Sequence, residues 1–514
     1  MDHVLTLFEK TVADFPEKTA VGYEEQNYSF LQLKQKALAL AASVQQVMRA
    51  SGKGKNQPVA VLVSRDADTL VSFLAVLYSG NYYVPVDPDM PAHKKQMILD
   101  DCQTPLLILK REQQKLMETI AFAGSLLYSD ELPETEAPSL VTSYDENDPI
   151  YMVYTSGSTG KPKGVLKSHK AVCSFVKAFA EEFHLTDREV IGNQTPFFFD
   201  ASAKDIYLML YTGARLEIIP SGLFMYPPKL LEYLNEKQIS YVCWVPTALS
   251  MVSQLNAFKQ VHPDYLKKVF FVGEVFPIKQ LRRWVAALPE IMYVNLYGST
   301  ELAGIGCYYP VDTSAEPESL PMGRALSNCR VFLHDAEKDL LITEPEVNGE
   351  VCIISDAVAL EYYHDPVKTA AVFQTAWLDD SGQVSFREAE GGEKVRVLRT
   401  GDLAHYDETG NLVFATRKDF QIKLFGRRIE LGEIEAAADK VTEIQRCACV
   451  FDSEKQKIRM YCELIPGCDW KGKDVREELK NRLSDYMVPS VVKIMEKLPL
   501  NANGKIDRTA LKSL

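Results

Sequence analysis

The sequence predicts an α/β fold: a large N-terminal domain of layered, mostly parallel sheets and helices, followed by a small α+β domain. Three observations predict it. Helical stretches such as Phe30 to Met48 alternate with apolar strands such as Val59 to Val63 and Tyr82 to Val86, the pattern of parallel sheets covered by helices. The alternation continues to the strand Val269 to Val272 and beyond, which suits an N-terminal region of about 400 residues with more than one sheet. Around Gly401 to Phe420 the chain becomes turn-rich, and Asp-Glu-Thr-Gly there reads as a hairpin turn between strands. Past that boundary, Glu430 to Val441 and Lys473 to Leu483 read as helices, and Cys447 to Phe451 and Ile458 to Leu464 as strands. The domains are drawn as residues 1–418 and 419–514, and a length of 514 residues is itself too great for one ordinary core. No repeat of short fixed period is visible.

Composition narrows the function classes. Hydrophobic residues make up 46% and charged residues 25%, the values of a folding globular chain. A net charge of -13 disfavours broad attraction to nucleic acid or anionic lipid, so neither is expected as a partner. The opening MDHVLTLFEKTVADFPEK places acidic residues in its first apolar run, unlike a secretory signal, and a cytoplasmic location is expected. The most apolar stretch, Leu70 to Tyr78, falls short of the roughly 20 residues that span a bilayer. Ten cysteines, without paired CxxC clusters, read as reduced core thiols, including Cys447 and Cys449 on one strand face.

The densest cluster of turn and hydroxyl residues is Tyr154-Thr-Ser-Gly-Ser-Thr-Gly-Lys-Pro-Lys-Gly164, directly after the apolar segment Ile150 to Val153. Glycines free the backbone, while hydroxyls, amides and lysines donate to phosphate oxygens, so polyphosphate binding is one reading and a solvated loop the other. A P-loop is excluded: Gly157 to Gly160 is too short a span, and Lys161 precedes proline instead of Ser or Thr. Further motifs follow in order: Asn295-Leu-Tyr-Gly-Ser-Thr-Glu301, Arg399-Thr-Gly-Asp402, Arg417-Lys-Asp-Phe-Gln-Ile-Lys423, Gly426-Arg-Arg-Ile-Glu-Leu-Gly-Glu-Ile-Glu435 and Asn503-Gly-Lys-Ile-Asp-Arg508.

Together these six segments resemble the adenylate-forming superfamily, which contains acyl-CoA synthetases, firefly-type luciferases and the adenylation domains of nonribosomal peptide synthesis. The resemblance covers essentially the whole chain and implies a mobile C-terminal domain. It also implies ATP as co-substrate, Mg²⁺ as cofactor, and attack of a carboxylate on the α-phosphate, where charge grows as pyrophosphate leaves. By resemblance, Thr155, Ser156, Gly157, Ser158, Thr159, Gly160 and Lys163 hold phosphates, and Glu301 helps to hold the metal. Tyr297 is matched to the ring that stacks on adenine, with Gly273, Glu274, Asn295, Gly298 and Thr300 around the nucleotide. Asp402 is matched to the ribose hydroxyls, and Arg417 to ribose and phosphate. Lys505 resembles the lysine that enters between carboxylate and α-phosphate; without the family it reads as a solvated turn residue. Thr155, Glu301, Arg417 and Lys505 are the expected catalytic set. Asp419 falls at the hinge, and Gly426 either lines the thiol tunnel or is a strand turn needing no side chain.

The segment Phe197 to Tyr207 bears on the substrate. In amino-acid-activating relatives the aspartate matching Asp200 pairs with the α-ammonium, and the other reading is a cap on the helix starting near Ser202. The remaining lining by correspondence is Ala201, Lys204, Cys243, Phe270, Val272, Leu296, Gly304 and Ile305. Overall wording is most similar to the D-alanine:carrier-protein ligases of teichoic-acid modification, but Val272, Ala201 and Lys204 depart from that pattern. Lys204, four residues after Asp200, either meets an acidic substrate side chain, or pairs with Asp200 or Asp205, or reaches out to solvent. Ser299 and Thr416 replace a common proline and glycine.

The expected activity is amino-acid adenylation followed by transfer to the phosphopantetheine thiol of a carrier protein. No carrier segment follows before Leu514, so the carrier is expected in trans. D-alanine ligation and acyl-CoA ligation are the alternatives within the fold, luciferase-like oxidation is a weaker one, and an inert scaffold is the alternative of another class.

Overall fold

The computed structural model describes residues 2–131, 145–156, 161–255, 257–315, 318–379, 382–388, 392–418, 421–452, 455–500 and 506–514. They form two compact units. The first holds Met1–Pro88, Cys102–Val153 and Gly164–Lys418; the second holds Asp89–Asp101 and Tyr154–Lys163 together with Asp419–Leu514.

Local signals fix the elements of the first unit. The helix Phe30–Ala50 opens on a capping box, Ser29 accepting from Gln32 N–H while the Gln32 side chain returns to the Ser29 amide. Its apolar stripe is buried from Phe30 to Met48. Asp66 caps the next helix, Ala67–Tyr78, in which every residue but Asp68 is buried. The apolar stretch of the sequence is therefore a short core helix; among the described residues no helix is long and apolar enough to cross a membrane.

Three sheets are built in this unit. The strands Met292–Tyr297, Lys268–Val272, Tyr241–Trp244, Val190–Asn193, Arg215–Ile218 and Thr19–Tyr23 lie parallel in that order within a nine-stranded sheet, whose edges are antiparallel. A seven-stranded sheet runs through Lys163–Ser168, Pro149–Thr155, Tyr82–Val86, Pro58–Leu62 and Leu106–Leu109. The third sheet is the antiparallel member of the layers: Arg330–Asp335, Gly349–Ile354, Glu393–Tyr406, Phe373–Leu378 and Leu412–Arg417 are all joined antiparallel. The short turn Asp407 to Gly410 joins Glu393–Tyr406 to Leu412–Arg417 as a hairpin, which forces those neighbours antiparallel.

The N-terminus packs through a pair of buried histidines, His3 and His169, stacked with ring centroids 3.6 Å apart. His3 Nδ1 accepts the Leu5 N–H at 3.3 Å, which an unprotonated ring alone can do. Burial pulls His3 down to about 4 and His169 well below its ordinary value. The unfolded rings take up protons near pH 6.5 and the folded ones resist. Their contribution is therefore fully present above about pH 6.5 and declines by about 1.4 kcal/mol per pH unit per histidine toward pH 4. Urea midpoints at pH 7.5 and pH 5 test this: the lower midpoint is expected at pH 5, and His169→Gln should shrink the difference.

In the second unit the strands Gln421–Leu424 and Arg427–Glu430 form a hairpin whose two loop residues, Phe425 and Gly426, both have positive φ, 53° and 71°. That is the backbone of a type I′ turn, which glycine adopts without strain. A helix, Leu431–Ala438, and a sheet of Ile444–Asp452, Lys457–Leu464 and Val491–Ile494 follow. Arg508 clamps the end of the chain to this body, reaching Glu435 through both nitrogens (2.6 and 2.9 Å) and the Cys449 carbonyl at 2.7 Å. All ten cysteines are free thiols.

Candidate active site

In the first unit the matched residues gather where neighbouring parallel strands end. Gly273 and Glu274 follow Lys268–Val272, Gly298 to Glu301 follow Met292–Tyr297, and Asp200 lies seven residues past Val190–Asn193 on a 3₁₀ turn, Asp200–Ser202. Carboxyl ends of parallel strands are the general ligand side of such sheets. Glu274 is fixed by the first turn of the helix Pro246–Gln254, accepting from Thr247 N–H at 3.1 Å and its hydroxyl at 2.7 Å. Asn295 donates to the Pro321 carbonyl at 2.7 Å.

Tyr297, Asp402 and Arg417 are brought together. Asp402 and Arg417 are register partners on the antiparallel strands Glu393–Tyr406 and Leu412–Arg417. Arg417 donates to Asp402 Oδ1 and the Tyr297 hydroxyl donates to Oδ2. Burial, and then the Asp402 charge, push the Tyr297 phenol well above its ordinary range, so it stays a donor. The Asp402 amide is held by Thr400 Oγ1 at 3.1 Å. Both carboxylate oxygens expected to face ribose thus have intrachain donors.

Glu301 is 3% exposed and accepts the Tyr362 hydroxyl at 2.6 Å, while its carbonyl takes the Ala359 N–H at 2.9 Å. Ser299 Oγ is buried with no partner among the described residues, as is Thr155 Oγ1 in the second unit. Ser156, also in the second unit, donates to the Arg428 carbonyl at 2.9 Å. Lys163 begins the strand Lys163–Ser168, and Thr300 stands half-buried before Glu301. Gly157, Ser158, Thr159, Gly160, Asp419 and Lys505 lie outside the described residues.

Asp200 caps no helix; Ser202 is the residue before the helix Ala203–Thr212, and no side chain bonds that end. Its Oδ1 instead accepts from Lys167 Nζ at 2.5 Å and from the Tyr151 hydroxyl at 2.9 Å. Lys167 is 0% exposed and also donates to the Leu302 carbonyl at 3.3 Å. Burial draws the Lys167 ammonium below its ordinary value and lifts the Asp200 carboxyl above its own, each opposed by the other's charge. The sequence reading missed Lys167, Tyr151 and Tyr362. The one signal for Lys167 was a charge sharing a strand face with Val165.

Lys204 is buried, and its ammonium meets Asp205 Oδ1 at 2.8 Å and the Cys243 carbonyl at 3.3 Å; Asn193 bonds the other Asp205 oxygen at 3.0 Å. Of the readings of Lys204, the geometry presents the intrachain pair, so an acidic substrate side chain is not needed to answer its charge. Cys243, Phe270, Leu296 and Ile305 are buried, Val272 and Ala201 half-buried. Gly304 has φ 101°, and a Cβ there would lie 2.3 Å from the Phe175 ring. Gly304→Ala is expected to cost about 1–3 kcal/mol in urea unfolding, through overpacking and backbone strain.

The model of the AMP-binding enzyme family matches residues 8–363, and that of the AMP-binding enzyme C-terminal domain matches residues 433–505. The chain belongs to the AMP-binding enzyme family. This AMP-binding enzyme is 32% identical over 511 residues to tyrocidine synthase 3 of Brevibacillus parabrevis, covering 98% of this chain and 7% of that protein. It is 30% identical over 526 residues to zwittermicin A synthase ZmaJ of Bacillus cereus, covering 98% and 94%. The crystal structure of IdnL1 superposes with a TM-score of 0.80 at 25% identity, covering 97% of this chain and 99% of that one. The first relatives are far longer: the chain spans 7% to 19% of the first three. The AMP-binding enzyme thus sits among the adenylate-forming enzymes, its α/β layers and C-terminal unit those of the adenylation fold.

Proposed function

We propose that this ligase activates an amino acid: the substrate carboxylate oxygen bonds to the α-phosphorus of ATP, the bond to the β-phosphate oxygen breaks, and aminoacyl-AMP and pyrophosphate form. A phosphopantetheine thiolate of a carrier protein then bonds to the acyl carbon as AMP leaves. The observation that carries the amino-acid reading is Asp200. It is a mostly buried carboxylate that caps nothing, with Oδ1 held from behind and Oδ2 taking no hydrogen bond among the described residues.

The other roles follow from residue chemistry. Tyr297, held by its hydroxyl, offers an aromatic face to adenine, and the Arg417 cation stands on Asp402 beside it. Glu301 and the Ser299 hydroxyl, which has no partner among the described residues, are hard oxygen donors that would suit Mg²⁺. When bound, that ion offsets negative charge on the phosphates. Lys505 is assigned the neutralisation of carboxylate and α-phosphate, Asp419 the hinge, and Gly426 the thiol side. The domain division at residues 418 and 419 belongs to the same reading.

Amino-acid-dependent exchange of labelled pyrophosphate into ATP tests the proposal, run with D- and L-alanine, both glutamates, aspartates, apolar amino acids, and fatty and aryl acids. A signal with amino acids is the expected result. A signal with fatty or aryl acids alone overturns it, and loading of CoA in place of a carrier overturns the second step.

A further inference from the structure

Asp200 is answered before any substrate arrives. Lys167 enters from the strand Lys163–Ser168, which lies beside Pro149–Thr155 in the seven-stranded sheet, and its ammonium has no exposed surface. It bridges Asp200 Oδ1 and the carbonyl of Leu302, the residue after Glu301. Tyr151 adds a second donor to the same oxygen. Beneath them Tyr83, Tyr151 and Tyr207 stack, with the Tyr83 and Tyr207 hydroxyls 2.8 Å apart. The Lys167 ammonium also stands 5.3 Å from the centre of the Tyr151 ring, so the pair is packed against this aromatic stack.

A bare buried carboxylate demands a cation, and only an ammonium would do. A carboxylate already paired with a buried lysine is close to neutral as a unit, and a second ammonium against it meets the repulsion of the first. What the pair still offers is an acceptor, Oδ2, with 15% of the Asp200 side-chain surface open. An α-hydroxyl satisfies that acceptor with no net charge.

We propose that Lys167 is a positioning residue that sets the α-substituent specificity of this pocket, so that 2-hydroxy carboxylic acids are activated as well as 2-amino acids. This rests on the adenylation reading above. The bond made is from substrate carboxylate oxygen to the α-phosphorus, the bond broken is that to the leaving pyrophosphate, and the α-hydroxyl keeps its proton while donating a hydrogen bond to Asp200 Oδ2. An uncharged α-substituent also spares the pocket the cost of burying two like charges side by side.

The test is pyrophosphate exchange by the full chain with matched pairs of 2-amino and 2-hydroxy acids bearing the same side chain. For wild type, kcat/KM within a pair is expected to differ by less than about tenfold, where a site demanding an ammonium separates such pairs by several orders of magnitude. Lys167→Met leaves the substrate ammonium as the only cation for Asp200, and the preference for the amino acid is expected to rise above about 100-fold. Lys167→Met with Asp200→Asn removes both charges at matched volume, guards against a folding failure of the single variant, and is expected to invert the preference toward the hydroxy acid. Exchange with amino acids but none with hydroxy partners in wild type overturns this inference alone. Equal preference in all three proteins overturns the role of Lys167. Exchange with neither member of any pair, but with fatty or aryl acids, defeats the adenylation reading and this inference together.

Discussion

Lys505→Ala is expected to slow amino-acid-dependent pyrophosphate exchange by about 10²–10³-fold, the scale of losing one charge aimed at a developing anion. Carboxylate and α-phosphate repel as they approach, and a flexible ammonium is the compact charge that can stand between them. The loss should fall on kcat, with ATP affinity by calorimetry nearly unchanged, because the lysine is assigned to the transition state and not to nucleotide binding. Lys505→Arg should recover only part of the rate, since a planar guanidinium cannot occupy the place of an ammonium. Equal exchange rates for the alanine variant and wild type would remove Lys505 from the mechanism.

Arg417→Ala is expected to be the most damaging single change to stability at the site, about 3–5 kcal/mol, because it strands a buried carboxylate. The side chains of Arg417 and Asp402 are only 12% and 4% exposed, and Tyr297 alone would remain on that carboxylate. Combining Arg417→Ala with Asp402→Asn removes the stranded charge, so the double variant should be more stable than the single one in urea unfolding. A single variant as stable as wild type would show that the pair is solvated in solution. Both variants should raise the KM for ATP, which separates the nucleotide role from the structural one.

The elements were legible in the sequence where burial imposes a simple rhythm. The strand Tyr82–Val86 and the helix from Phe30 lie where apolar runs and a Ser–Gln capping pair place them. The antiparallel third sheet was not read, although Glu393–Tyr406 alternates buried and partly exposed positions over part of its length; alternation gives a strand but not its neighbours. Candidate site residues could be named one at a time, because Glu274, Glu301 and Asp200 sit in or just after short motifs at strand ends. Their partners could not. Lys167 is 33 residues from Asp200, Tyr362 is 61 from Glu301 and Tyr297 is 105 from Asp402, and such meetings depend on which strands become neighbours. Lys204 shows the limit of local reasoning: spacing left Asp200, Asp205 and a substrate carboxylate all open as partners, and only the fold puts its ammonium on Asp205.

The strand Leu412–Arg417 is knitted to Glu393–Tyr406 up to its last residue, and the ladder then gains one more rung, Lys418 N–H to the Gly401 carbonyl at 2.9 Å. Lys418 is moored again through its ammonium, 3.0 Å from Glu350, the carboxylate that also takes Arg399. The hinge proposed at Asp419 would therefore start one step beyond a fixed bearing. On that proposal, Arg417 and its ion pair with Asp402 would stand behind the two anchors of Lys418 and keep their geometry while the chain beyond turned.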